Sequence, residues 1–288
     1  MWIAGARIRT LPLAIAPVAL GVGASTRITG GFGTIDWPLA VLSLAVALFL
    51  QIGVNYSNDY SDGVRGTDEF RVGPPRLTGS GVANPRRVLA VAVVFLGLGA
   101  AAGVAIVLLT GDWWLLIPGV IAIAAAYFYT GGRRPYGYYG LGEVFVFIFF
   151  GVVATVGTTY VLSGSYNVES LVASFGAGAI ACAVLMANNI RDIDQDKVAK
   201  KRTLAVLVGS RVARIVYVFF MLGAYVVLWL VSYLYPLAPL VFFTLLLAVP
   251  AALIVITGKT PKEFILALQL TSLVGLIYGL GLAAAFTF

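Results

Sequence analysis

Long apolar runs separated by short polar stretches set the pattern of this chain. Uncharged segments extend over Leu11 to Thr26, Trp37 to Asn58, Val88 to Gly111, Trp113 to Gly132, Val144 to Asn167, Ser170 to Ile190, Ile215 to Tyr235, Pro236 to Thr257 and Phe264 to Phe288. Each approaches or exceeds the roughly 20 residues that a helix needs to cross a bilayer core. The uncharged run from Ile215 to Gly258 is too long for one crossing, and YPLAP at Tyr235 to Pro239 divides it, because proline ends a helix and favours a turn. Pro12, Pro17, Pro118 and Pro250 are expected to start or kink helices, which neighbouring helices accommodate. The pattern predicts an all-α polytopic membrane protein, nine transmembrane helices around a central cavity, forming a single domain over residues 1–288.

Composition agrees and closes other doors. Of the 288 residues, 60% are hydrophobic and 11% charged, whereas an ordinary soluble domain is about 25% charged. That excludes a water-soluble enzyme and a disordered chain. The absence of His removes a histidine base, a His-ligated haem and most zinc or copper sites. With Cys182 as the one cysteine there is no internal disulfide and no cysteine metal cluster, so any bound metal is held by oxygen.

The net charge of +7 is explained by topology. With the N-terminus in the cytoplasm, 18 of the 19 Lys+Arg fall in cytoplasmic segments and only Arg27 lies outside. This is the positive-inside asymmetry, and no nucleic acid is needed to account for it. The reading places the chain in the plasma membrane as a multi-pass protein, with lipid as its surroundings. Arg7 and Arg9 before a short apolar run also resemble a signal peptide; the two prolines of that run argue for a retained span.

Apart from Asp36, Asp112 and Glu169, the acidic residues are on the cytoplasmic side, and most fall in two groups. NYSNDYSDGVRGTDEFR, Asn55 to Arg71, follows the second predicted span; NNIRDIDQDKVAKKRT, Asn188 to Thr203, follows the sixth. Asn58 and Asp62 are one i,i+4 step apart, Asp59 and Asp62 one i,i+3 step, and Asn188, Asp192 and Asp196 are successive i,i+4 steps. Each set shares a helix face if the helix persists. Carboxylates crowded in this way repel unless a cation sits among them, and Mg²⁺ suits the role because it takes one or two carboxylates and completes its shell with water and phosphate. Arg65, Arg71, Arg76, Lys197, Lys200, Lys201 and Arg202 lie beside them as phosphate donors. The bland alternative is that these loop charges solvate one another, and it suits the outer members Asp68, Glu69, Asp194 and Arg87. Asn58, Asp62, Asp192 and Asp196 continue directly from apolar spans, where ionisable groups tend to be functional.

These strings resemble a known family. Asn58-Asp59-x-x-Asp62, the second motif Asp192xxxAsp196 and the nine-span hydropathy resemble the UbiA-type superfamily of intramembrane aromatic prenyltransferases. RTLPLAIAPV, NDYSDGVRGTD, YTGGRRPYGYYGLGE and NNIRDIDQDKVAKKRTLAV are similar to its branch acting on 1,4-dihydroxy-2-naphthoate in menaquinone synthesis. Where many members read NDxxDxxxD, this chain has Gly66 at the last position and an aspartate only at Asp68. The resemblance implies transfer of a polyprenyl group from a polyprenyl diphosphate to 1,4-dihydroxy-2-naphthoate, with loss of diphosphate and CO₂. It implies Mg²⁺, or Mn²⁺ as a substitute, at Asp59, Asp62, Asp192 and Asp196. Asp62, Asp192 and Asp196 are the implied catalytic groups, and Asn58, Asp59, Arg65, Arg134, Asn188 and Lys201 the implied contacts to diphosphate and acceptor. Arg134, with Arg133 and Glu143, belongs to the glycine-rich loop GGRRPYGYYGLGE, whose arginines equally serve as positive-inside anchors. Tyr127, Tyr129, Tyr136, Tyr138 and Tyr139 are candidates to shield an allylic cation through their ring faces, or to anchor at the interface.

Two other functions compete. A secondary transporter would place acids near mid-span, whereas these sit at span ends. A CDP-alcohol phosphotransferase needs a DG…AR…G…D…D spacing on one helix, which the sequence lacks.

Overall fold

The computed structural model describes residues 2–67 and 76–288; the expectations placed on Asp68, Glu69 and Arg71 lie outside the described residues. Among those residues the chain is helical, without strands. The main helices are α1 Pro12–Thr29, α2 Trp37–Val64, α3 Pro85–Thr110, α4 Leu116–Phe128, α5 Gly142–Ser163, α6 Val168–Arg191, the short α7 Ile193–Val198, α8 Leu204–Ser232, α9 Ala238–Thr257 and α10 Pro261–Thr287.

Seven of these helices are long and apolar enough to cross a membrane, or eight if the bent pair Trp2–Thr10 and Pro12–Thr29 counts as one span. The expected count of nine is not reached by that measure. The difference lies at Trp113 to Gly132, which contracts to Trp113–Phe128. The chain turns there because Gly131 closes back on Tyr127 and Gly132 takes a positive φ of 74°, which glycine adopts at no steric cost. Although short, the segment joins opposite ends of the bundle. Trp114 donates to Tyr160 near the end of α5 at 3.2 Å, while beyond the other end Arg65 donates to the Thr130 and Gly132 carbonyls.

Packing centres on α6. In its apolar window 78% of residues are buried, against 22–50% in the six other long helices, and α8, α10, α5 and α1 all pack on it. Its sequence is rich in small residues, which let backbones approach closely where lipid offers no hydrophobic drive to pair helices. A Cβ at Gly151 of α5 would come within 2.7 Å of the Gly178 Cα of α6, so this crossing requires glycine. Outward faces carry exposed Val93, Leu108, Phe219 and Leu246, as a lipid-facing surface should.

Polar burial is concentrated toward the end of α2. Gln51 and Asn55 donate to the carbonyls of Thr10 and Ala6 at 2.6 and 2.9 Å, and the Tyr56 hydroxyl to that of Trp2 at 2.6 Å. The segment before α1 is thereby laced to α2, and its 49° bend falls just before Pro12. YPLAP separates α8 from α9 as expected. The span expected from Ile215 begins earlier, as α8 at Leu204, with a non-helical break at Gly209.

Candidate active site

The helical persistence assumed for the first acidic group holds, since α2 runs unbroken through Val64. Asn58 and Asp62 therefore face the same way. The Asn58 carbonyl oxygen Oδ1 accepts from Thr130 Oγ1 at 2.7 Å, and Asp62 Oδ1 accepts from the Tyr138 hydroxyl at 2.8 Å. Arg76 arrives from the loop after α2 and donates to the Asn58 backbone carbonyl at 3.1 Å and to Asp62 Oδ2 at 2.6 Å. Asp59 looks elsewhere: its oxygens accept from the backbone N–H groups of Leu77 and Thr78 at 2.9 and 2.8 Å.

The second group differs from expectation. α6 ends at Arg191, and Asp192, at φ −98° and ψ 7°, is a non-helical joint before α7. Backbone bonds still run from Asp192 to Asn188 and from Asp196 to Asp192, at 3.2 and 2.8 Å, so the three side chains remain one turn apart across a bend. Arg191 holds both oxygens of its neighbour Asp192, at 2.7 and 2.6 Å, and Asn188 Oδ1 at 2.8 Å. After α7 the chain reverses through Lys200, a non-glycine residue at φ 57°. The Lys201 amide bonds back to the Asp196 carbonyl at 2.8 Å, which returns the Lys201 side chain toward the cavity.

There the groups meet. The Lys201 ammonium stands 3.7 Å from Asp62 Oδ2 and 4.0 Å from Asp196 Oδ1, joining the ends of two helices. A small cavity is lined by Asp62, Thr67, Arg76, Asn188, Asn189, Asp192, Gln195, Asp196 and Lys201. Burial pushes the Asp196 carboxyl up to about 6, with Asp192 and Asp62 adding to the rise and Lys201 opposing it. Burial, helped by Asp62, also raises Tyr138, so its hydroxyl stays protonated and donates. Both Arg65 and Lys201 stack on the Tyr138 ring, at 5.3 and 5.2 Å from its centroid.

The donor set suits a hard cation. Its oxygens come from Asp62, Asn188, Asp192 and Asp196, and Gln195 Oε1, in a cavity-lining residue, is buried with no hydrogen-bond partner. Among the described residues no three acids form a ready cage, which fits a metal that takes part of its shell from phosphate and water.

Of the expected site residues, Asp62, Asn188, Asp192, Asp196 and Lys201 line one cavity, and Asn58 is tied to it through Arg76. Asp59 faces the loop, and Arg65 ties α2 to the turn after α4 beside Tyr138. Arg134 is exposed and outside the cavity lining. Tyr127 and Tyr139 are exposed, and Tyr136 stacks on Phe145 at 4.0 Å. Sequence reasoning missed Thr130, Asn189, Arg191 and Gln195. Asn189 donates to the buried Glu143 at 3.0 Å, a pairing of residues far apart in sequence for which no local spacing is a signal.

The chain belongs to the UbiA prenyltransferase family, whose pattern matches residues 14–264, and it is a membrane-embedded prenyltransferase. It is 45% identical to a 1,4-dihydroxy-2-naphthoate octaprenyltransferase of Mycobacterium tuberculosis, over 100% of this chain and 97% of that one. It is 37% identical to the Escherichia coli protein of the same name, over 86% and 81% of the two chains. The fold is similar to a solved UbiA homologue from Archaeoglobus fulgidus bound to DMAPP and Mg²⁺, with a TM-score of 0.65, 17% identity, and coverage of 98% of this chain and 99% of that one.

Proposed function

We propose that this chain, acting as one transmembrane unit over residues 1–288, transfers the polyprenyl group of a polyprenyl diphosphate to 1,4-dihydroxy-2-naphthoate, releasing diphosphate and CO₂ and giving demethylmenaquinol. The observation that carries the donor half is Lys201 lying between Asp62 and Asp196, which brings carboxylates and a phosphate donor from two helix ends to one cavity. The acceptor is supported by the relatives of that name.

Asp62, Asp192 and Asp196 would hold Mg²⁺, with Mn²⁺ as a substitute, and the metal would draw charge from the diphosphate and assist its departure. Arg76, Arg191 and Lys201 release their carboxylates and donate to phosphate oxygens. Asn58 and Asn188 supply neutral contacts beside them. Tyr138 holds Arg65 and Lys201 against its ring and donates to Asp62, so it steadies the cations that would meet the diphosphate. The C–O bond to diphosphate breaks first and leaves the allylic cation; the acceptor carbon bearing the carboxylate then forms the new C–C bond, and loss of CO₂ restores the aromatic ring. The surrounding apolar helices keep water from quenching the allylic cation.

The positive-inside asymmetry supports a site on the cytoplasmic face of the plasma membrane. Asp62 and Asp196 meet only if the chain crosses an odd number of times between α2 and α6, which supports a full crossing by Trp113–Phe128. Ser80 and Ser165 are exposed; cysteines placed there should label from opposite sides, and labelling from one side would overturn this topology.

The decisive assay incubates purified protein with Mg²⁺, a polyprenyl diphosphate and acceptor labelled in its carboxylate, with mass spectrometry of the lipid product. Labelled CO₂ and a prenylated product lacking the carboxyl group are expected. A product retaining the label would overturn the acceptor and leave prenyl transfer standing.

A further inference from the structure

Asp59 stands one residue from the Asn58 and Asp62 face, yet turns both oxygens away from the cavity. It is 3% exposed, and its oxygens hold two successive backbone N–H groups, those of Leu77 and Thr78. Both oxygens are directed at these N–H groups, and Asp59 is absent from the cavity lining, so its carboxylate is aimed at the loop rather than at a metal in the cavity.

The segment it grips is compact. Ser80 N–H bonds to the Arg76 carbonyl at 3.1 Å, Gly81 N–H to Thr78 at 3.0 Å and Ala83 N–H to Leu77 at 3.0 Å. Leu77 is 4% exposed and packs with Tyr56, Val88 and Ala92. The strap also presses on α2 at Gly63, where a Cβ would come within 2.5 Å of Thr78 Cβ. Its first residue is Arg76, which reaches Asn58 and Asp62.

We propose that Asp59 is a positioning residue: it pins the strap of residues 76–83 to α2 so that the Arg76 guanidinium is held over Asp62, ready for the diphosphate. The role differs from metal ligation, and it rests on the donor-site reading above. Anchor and cargo are adjacent, so losing the two N–H bonds frees the backbone that carries Arg76.

Two arms test it. In the first, backbone amide exchange over residues 76–83 is measured in wild type, Asp59→Ala and Asp59→Asn; it should quicken strongly in the first variant and partly in the second, which keeps one acceptor oxygen. In the second, Asp59→Ala should raise KM for the polyprenyl diphosphate about tenfold, the loss of roughly one charge-assisted hydrogen bond. The Mg²⁺ concentration for half-maximal rate should stay unchanged. In an Arg76→Ala background Asp59→Ala should add no further change, because its effect travels through Arg76. Gly63→Ala displaces the strap from the other side and should give the same KM rise, again masked by Arg76→Ala, which keeps the test open if Asp59→Ala fails to fold. Unchanged amide exchange, a shifted Mg²⁺ requirement, or full additivity with Arg76→Ala would overturn the proposal. A wild-type protein that transfers no prenyl group would overturn the functional reading instead, with the exchange arm still deciding the anchor.

Discussion

The two acid-bearing helix ends reach the same cavity by different means. At the end of α2 the helix is continuous and its groups are held by distant partners: Asp62 by Arg76, Tyr138 and Lys201, and Asn58 by Thr130. At the end of α6 the helix bends and the partners are local, with Arg191 on Asp192, Asn188 on Arg191, and Thr203 3.4 Å from Asp196. A straight helix fixes direction but needs other segments to supply its counter-charges, whereas a bent one folds its own back upon itself. Damage at the α2 end should therefore spread into two loops, and damage at the α6 end should stay local.

Alanine at Asp62, Asp192 or Asp196 should lower turnover by about 100-fold or more, as for other strong electrostatic contacts to a reacting group. Full activity of any of these variants, or of wild type in EDTA, would break the site. The comparison sharpens in stability. Asp62→Ala removes a carboxylate shared by Arg76 and Lys201, and breaking a buried ion pair costs about 3 kcal/mol. Asp192→Ala removes the carboxylate held by Arg191, which keeps Asn188, so thermal unfolding should show a clearly larger loss for Asp62→Ala; equal losses would contradict the division.

A pH titration probes Asp196 at the α6 end. Asp196 is raised from 3.8 to about 6 by burial, so between those values the folded protein binds more protons than the unfolded one. Its contribution to stability is present at low pH and is lost as pH rises through about 6. In EDTA, the unfolding temperature of wild type should fall more from pH 5 to 7 than that of Asp196→Asn. The smallest effect is expected at Arg134, which is exposed and outside the cavity: Arg134→Ala should change the rate by about twofold or less, as for most surface substitutions.

The same contrast explains what could be read in the sequence. Apolar length located the spans, because hydrocarbon thickness permits few alternatives, and proline in YPLAP marked a true break. The i,i+4 spacing grouped Asn58 with Asp62 because α2 persists. It also grouped Asn188, Asp192 and Asp196, although the bend at Asp192 has no glycine or proline to announce it. The turn of Asp59 toward Leu77 and Thr78 was not legible, because spacing gives a residue's position on a helix and is silent about the loop packed beside it. The shortness of Trp113–Phe128 escaped because Tyr129 and Thr130 bear no charge. Arg134 was grouped by its loop, and loop membership does not fix where a long side chain goes.

Lys201 and the two arginines give the site one more property. Asp62, Asp192 and Asp196 are matched by Arg76, Arg191 and Lys201, and every one of these side chains is at most 13% exposed. Counted as formal charges the set sums to zero, so these side chains serve as counter-ions for one another at the membrane edge. Dissolved salt reaches such groups poorly, and the fold should be indifferent to ionic strength there. An arriving ligand meets a balanced ionic lattice, and its affinity is the difference between the pairs it makes and those it displaces.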